Sequence, residues 1–240
     1  MTAILDVAGL DKHFGGLQAV KNLSFSVAEG EIVGLIGPNG AGKTTVFGLL
    51  SGFLDPDAGT ASFRGRVITG LPPHRVNALG LARTFQIVRP FPRLSVLQNV
   101  TVGALSRHPD PHDAGRRAVA VLEEVDLIVK RDQPAASLTL AERKRLELAR
   151  ALATEPALLL LDEVMAGLNA IETERIVELI RAINRRGVAV LLIEHVMRAV
   201  MSLSQRILVL NYGELIAEGR PEAVAGDPRV VEAYLGAAPA

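Results

Sequence analysis

The sequence predicts an α/β fold: a mostly parallel sheet covered by helices on both faces, with a smaller antiparallel β part and an inserted helical part. Three observations predict it. ALLLL at 157–161 and VAVLLI at 188–193 are apolar at every position rather than alternating, as strands buried on both faces require. Such runs exchange with segments of helical spacing, and strands alternating with helices build parallel sheets. Between about Arg89 and Leu152 the strand signals give way to helical periodicity, so this stretch reads as an insertion. One domain is expected over residues 1–240, with 1–88 and 156–240 as the core carrying the antiparallel part and 89–155 as the helical part.

In chain order, ILDVAGL (4–10), LSFSVAEGE (23–31) and EIVGLIG (31–37) are β-like runs set off by glycine turns. KTTVFGLLSGF (43–53) has helical spacing directly after a glycine-rich loop. GTASFRGRVI (59–68) returns to a short strand pattern near Gly59 and Gly65, which suggests the antiparallel piece. RPFPRLSVLQNV (89–100) is broken by Pro90 and Pro92, with Ser95 placed to cap a helix. GRRAVAVLEEVDL (115–127) has Val119, Leu122, Val125 and Leu127 at helical spacing. AIETERIVELIRAINRRG (170–187) reads as an amphipathic helix closed by Gly187. RILVLNYGELIAEG (206–219) reads as a hairpin turning at Asn211–Gly213.

Composition narrows the function classes. The 26 Lys and Arg balance the 26 Asp and Glu, so no global field draws the chain to nucleic acid, although a local basic patch can hide under that balance. With no coiled coil or basic extension in the sequence, nucleic acid is not expected as a partner. Without cysteine there are neither disulfides nor thiolate metal sites. The start MTAILDVAGLDKHF lacks the basic and apolar regions of a secretory signal. The apolar runs fall far short of the roughly twenty residues a membrane span needs. A soluble chain that docks on a membrane protein is expected.

GPNGAGKTT, Gly37 to Thr45, is a complete G-x-x-x-x-G-K-[ST] motif between an apolar strand and a helix. Its glycines let successive N–H groups turn toward phosphate oxygens, and the helix start adds positive potential. Gly37, Asn39, Gly40, Ala41, Gly42, Lys43, Thr44 and Thr45 are therefore candidate nucleotide-binding residues. Lys43 is placed to reach the β and γ phosphates and Thr44 to ligate Mg²⁺. LLLLDE ends a buried strand in two acids: Asp162 for the metal and Glu163 as general base. The core is thus expected to be that of a P-loop nucleoside triphosphatase using ATP and Mg²⁺.

With these motifs the chain resembles the ATP-binding subunits of ABC transporters over nearly its whole length. The resemblance implies an ATPase at the inner face of the cell membrane, driving separate permease subunits together with a second ATPase subunit. ARTFQIVRPFPRLSVLQNV matches the loop whose glutamine, here Gln86, contacts metal or attacking water. LLIEHVMRAV places His195 at the γ-phosphate, and Phe14 in HFGGLQAV sits where an aromatic stacks on adenine. FGGLQAV, ARTFQ, AGLNA and the ending GELIAEGRPEAVAGDPRVVEAYLG look more specifically like the branched-chain amino-acid uptake branch. Related branches serve urea, short amides and other small polar solutes. A weakly hydrolysing regulatory subunit is the alternative role.

The family's LSGGQ segment binds the γ-phosphate of ATP held on the opposite subunit. Here its slot, Leu138, Thr139, Leu140, Ala141 and Glu142, reads LTLAE. Thr139 and Glu142 keep a capping-box pattern at a helix start. Leu140 and Ala141 replace two glycines that permit close backbone approach. Glu142 brings a negative charge that disfavours an incoming phosphate by about 1 kcal/mol. The expectation is a heterodimer with one strong and one weak site, a homodimer being the other arrangement. Val164 and Asn169 stand where the family commonly has Pro and Asp.

Overall fold

The computed structural model describes residues 2–87 and 89–235. Val88, at the expected boundary of the helical part, and residues 236–240, which include the last glycine of the AYLG ending, lie outside the described residues.

Two sheets share the N-terminal half. Strands β1 (Ala3–Phe14), β2 (Leu17–Ala28), β4 (Ala58–Phe63) and β5 (Arg66–Val67) form an antiparallel sheet in the order β2-β1-β4-β5. The second sheet contains β3 (Ile32–Ile36), β6 (Leu81–Arg83), β7 (Leu158–Asp162), β8 (Ala189–Ile193), β9 (Arg206–Asn211) and β10 (Glu214–Gly219). Its order is β10-β9-β3-β8-β7-β6, parallel throughout except for β10 on the edge. All five residues are buried in each of β3, β7 and β8, as the apolar runs require, with Asp162 the one charged residue among them. β9 and β10 are joined through Tyr212 and Gly213, both at positive φ, 46° and 83°. Two such residues in a row are what a tight hairpin turn demands.

The helices are α1 (Lys43–Leu50), α2 (Pro73–Leu79), α3 (Val96–Ala104), α4 (Pro111–Glu124), α5 (Leu140–Leu152), α6 (Ala170–Arg185), α7 (Met197–Leu203), α8 (Pro221–Ala225) and α9 (Pro228–Leu235). α1 stops at Leu50, with Ser51 as its C-cap, so the helical spacing read through to Phe53 overshoots by one turn. Ser95 caps α3 with a reciprocal capping box to Gln98. α6 closes at Arg185, and Gly187 follows at φ 91°. In α4 the buried face is Ala114, Ala118, Val121 and Leu122. Val119 is only half-buried, a correction of the expected stripe: small alanines, which carry little weight in an apolar pattern, let α4 pack closely on its neighbours. The first strands also differ from expectation, since β2 begins at Leu17 and not near Leu23.

The loop before α3 is held by one fully buried side chain. Asn99 Oδ1 accepts from the Phe91 N–H at 2.8 Å, and its Nδ2 donates to the carbonyls of Phe91 and Ser95, both at 3.0 Å. Asn99→Ala strands buried main-chain groups, and we expect a loss of about 2–3 kcal/mol of stability. The check is a urea titration, in which the midpoint should fall by about 1 M with unchanged slope.

Candidate functional site

The carboxyl ends of β3, β6, β7 and β8 lie side by side, where open parallel sheets bind ligands. Gly37 leaves β3 so close to β9 that a Cβ would sit 2.1 Å from the Leu210 carbonyl, and a Cβ on Gly42, at φ 101°, would sit 2.3 Å from that of Ala19. Only glycine fits at these two positions. The loop is pinned from outside as well, by the Gly213 N–H donating to the Ala41 carbonyl at 3.1 Å. α1 starts with no side-chain cap, which leaves its first N–H groups to an anion. Lys43 is 6% exposed, and its ammonium donates to the carbonyls of Gly37 at 2.7 Å and Pro38 at 2.8 Å. Burial pushes its pKa below the usual lysine value, against the opposing pull of Glu163 and Asp162.

A cavity of about 610 Å³ runs from this loop to Phe14, and Asn39, Gly40, Ala41, Gly42, Lys43, Thr44, Thr45, Glu163 and His195 all line it. Phe14 is 47% exposed, so its ring is available to a base rather than spent in the core.

Asp162 ends β7 and is 2% exposed. Arg83 Nη2 donates to its Oδ2 at 2.9 Å, while the guanidinium packs over Phe47, Phe53 and Phe85. A buried carboxylate needs such a partner. Thr44, Gln86 and Asp162 line one further cavity of about 510 Å³. Hydroxyl, amide and carboxylate oxygens are the hard donors that magnesium takes, beside phosphate and water, so this donor set fits the ion.

Glu163 sits one residue past the strand at φ 49°, a conformation costing a non-glycine residue roughly 1–2 kcal/mol. Gln86 Nε2 donates to its Oε2 at 2.6 Å, and His195 Nε2 lies 2.8 Å from its Oε1. Three residues up to 109 positions apart in the chain thus meet at one carboxylate. Behind them, buried Glu194 accepts from the Met165 N–H at 2.7 Å. Burial pushes the Glu194 carboxyl up to about 7, against those main-chain bonds.

The LTLAE stretch forms the start of α5. Thr139 is the N-cap and Glu142 returns the bond to the Thr139 N–H, a complete capping box. Leu138 is buried, Ala141 half-buried, and Thr139 and Leu140 exposed. Glu142 is not the free charge expected from sequence, because Lys130 Nζ lies 2.5 Å from its Oε1. Burial pushes its pKa up, but Lys130 and the Thr139 N–H outweigh that and hold it below the usual carboxylate range. Leu140 reaches over Gly167, where its Cδ2 would lie 3.0 Å from a Cβ. Asn169 caps α6 through Glu172, so this substitution keeps the helix start.

Sequence reading missed Arg83, Lys130, Tyr212 and Lys144. Arg83 lies in a three-residue strand and Lys144 in a charged helix, where no local pattern marks burial. Tyr212 is 78% exposed and lines the nucleotide-sized cavity; its place in the hairpin turn Asn211–Gly213 was the available signal.

Among the described residues no helix is long and apolar enough to cross a membrane. A family model described as ABC transporter matches residues 20–166, and one described as branched-chain amino acid ATP-binding cassette transporter matches residues 214–240. The chain is 43% identical to the high-affinity branched-chain amino acid transport ATP-binding protein LivG of Salmonella typhimurium, over 98% of each. It is 42% identical to the corresponding protein BraF of Pseudomonas aeruginosa, again over 98% of each. An ATP-binding cassette of an ABC transporter solved in its ADP conformation superposes with a TM-score of 0.90 at 31% identity, covering 99% of this chain and 100% of that one.

Proposed function

This chain belongs to the ABC transporter family as an ATP-binding, ATP-hydrolysing subunit of an importer, and from that premise we propose that its hydrolysis drives uptake of branched-chain amino acids. The observation that carries the catalytic reading is the Glu163 carboxylate held between Gln86 and His195 beside the glycine loop. The relatives named for branched-chain amino acid transport, and the matching C-terminal segment, support the solute class. Cells lacking this chain should lose high-affinity uptake of labelled leucine, isoleucine and valine. Loss of urea uptake with leucine uptake intact would reject the assignment.

In this reading Phe14 stacks on adenine and the loop N–H groups with Lys43 hold the phosphates. Thr44, Gln86 and Asp162 would hold magnesium, which when bound neutralises charge on the phosphate oxygens. Glu163 takes a proton from the attacking water as the water oxygen bonds to the γ-phosphorus and the bond to the bridging oxygen breaks, leaving ADP and phosphate. His195 orients Glu163 and faces the γ-phosphate, and Gln86 fixes the second carboxylate oxygen and the water.

The chain works at the inner face of the membrane against permease subunits. The exposed apolar residues Phe53, Phe85, Ile87 and Phe91 beside Gln86 are the surface offered to them. It pairs with a second ATPase subunit across the nucleotides. Leu140 is 43% exposed at the place where a phosphate would need to approach the α5 backbone, which favours a partner carrying the glycine-containing segment. Lys130 offsets the Glu142 charge but does not restore that space. Adding such a purified partner should raise hydrolysis by about tenfold or more, since positioning groups at a phosphate are worth at least that. Equal turnover without it would reject the heterodimer.

A further inference from the structure

Lys43 and Lys144 are the two buried lysines among the described residues, and the mechanism uses only the first. Lys144 is 4% exposed and sits on α5, five residues beyond Thr139. Its ammonium donates to the Glu163 carbonyl at 2.8 Å and to the Gln86 carbonyl at 3.2 Å. No described carboxylate pairs with it directly. Glu194, Glu163, Asp162 and Glu147 surround it at longer range, and burial nonetheless holds its pKa below the usual lysine value. Burying a cation is costly unless it is hydrogen-bonded and compensated, and here two main-chain oxygens of catalytic residues supply the bonds.

We infer that Lys144 is a positioning residue that fixes the backbone of Glu163 and Gln86 to α5, so that the catalytic carboxylate is aimed only while α5 is seated. This rests on the proposed sandwich, in which the start of α5 faces the partner's nucleotide. The geometry supplies the reason. Glu163 is in an uncommon left-handed conformation, with its N–H given to the Ile193 carbonyl at 2.9 Å and its carbonyl to Lys144. The Ala166 N–H also donates to the Glu163 carbonyl at 3.2 Å. Of the three bonds that set the plane from which the side chain projects, the one from Lys144 alone ties it to α5. The Gln86 carbonyl shares the same ammonium, so carboxylate and amide move together. α5 packs on α3 and α4, and any displacement of those helices pulls on this one cation. The partner's nucleotide at the front of α5 and the chain's own nucleotide at Glu163 are thereby linked through a single side chain.

The test compares Lys144→Met, unbranched and one atom shorter but unable to donate, with Lys144→Arg in the assembled transporter. Lys144→Met should lower kcat by about tenfold or more, because small misplacements of reacting groups are that costly, while half-saturating ATP shifts by less than about threefold. MgATP binding to the isolated chain, followed by calorimetry, should not change, and Lys144→Arg should recover most of the turnover. A Lys144→Met kcat within about twofold of the native value overturns the inference. So does a parallel loss of binding, or an equal loss in the Arg variant, since either marks packing rather than donation. Glu163→Gln in the same assay separates the two readings. If it leaves turnover intact, the catalytic carboxylate itself is misassigned; if it abolishes turnover while Lys144→Met does not, only the role of Lys144 fails.

Discussion

Replacing Glu163 with Gln is expected to lower ATP turnover of the assembled transporter by about 10²–10⁴-fold, the range that general-base catalysis supplies, while MgATP remains bound. Glutamine has the same shape, so the site should persist. Its amide oxygen can still accept from Gln86 Nε2, and its nitrogen can face His195 Nε2 in the acceptor tautomer, across distances now 2.6 and 2.8 Å. What disappears is the ability to take a proton from water. Binding and closure precede that step, so ATP should trap the paired subunits rather than pass through them. Phosphate release measures the loss, and gel filtration with MgATP shows the trapped pair. Unchanged phosphate release would remove the chain from the class of turning-over ATPases and leave the regulatory role.

How far the sequence discloses this depends on whether a feature is local. β3, β7 and β8 announce themselves because a strand buried on both faces must be apolar at each position. The phosphate loop is equally visible, since its glycines answer backbone approaches of 2.1 and 2.3 Å that no side chain survives. The capping box of Thr139 and Glu142 is legible because both partners lie within one turn. β6 is not: three residues show no period, and Leu81–Arg83 becomes a strand through its register with Leu158–Leu160. The same holds for charge. Arg83 and Lys144 have the texture of surface residues, and only packing of distant segments buries them against Asp162, Gln86 and Glu163. Likewise Glu142 reads as a free acid until Lys130, twelve residues earlier, is brought to it. Glu163 could be named from the acids that end its strand, and Gln86 and His195 from resemblance, but their meeting at one carboxylate is a product of three parallel strands ending together.

Lys43→Ala is expected to weaken MgATP binding by about 10–100-fold, equivalent to roughly 1.4–2.8 kcal/mol and in line with a lost hydrogen bond to a charged group. The Lys43 ammonium is already in place, held at 2.7 and 2.8 Å by the Gly37 and Pro38 carbonyls inside the curve of the loop. Those acceptors are neutral, and burial works against the cation they hold. An arriving triphosphate substitutes charged oxygens for them, which strengthens each bond and raises the lysine pKa again. Little side-chain entropy is lost, because the ammonium is confined before the ligand comes. Alanine removes the charge and also leaves the two carbonyls facing the phosphate, so attraction turns into repulsion at the same point. Arginine at this position would test shape against charge: Glu163 and His195 line the cavity beside Lys43 and limit the room there, so a planar fork should recover only part of the affinity. Calorimetry with MgATP on folded protein reads both variants directly. A Lys43→Ala affinity equal to the native one would mean that the nucleotide does not enter this loop.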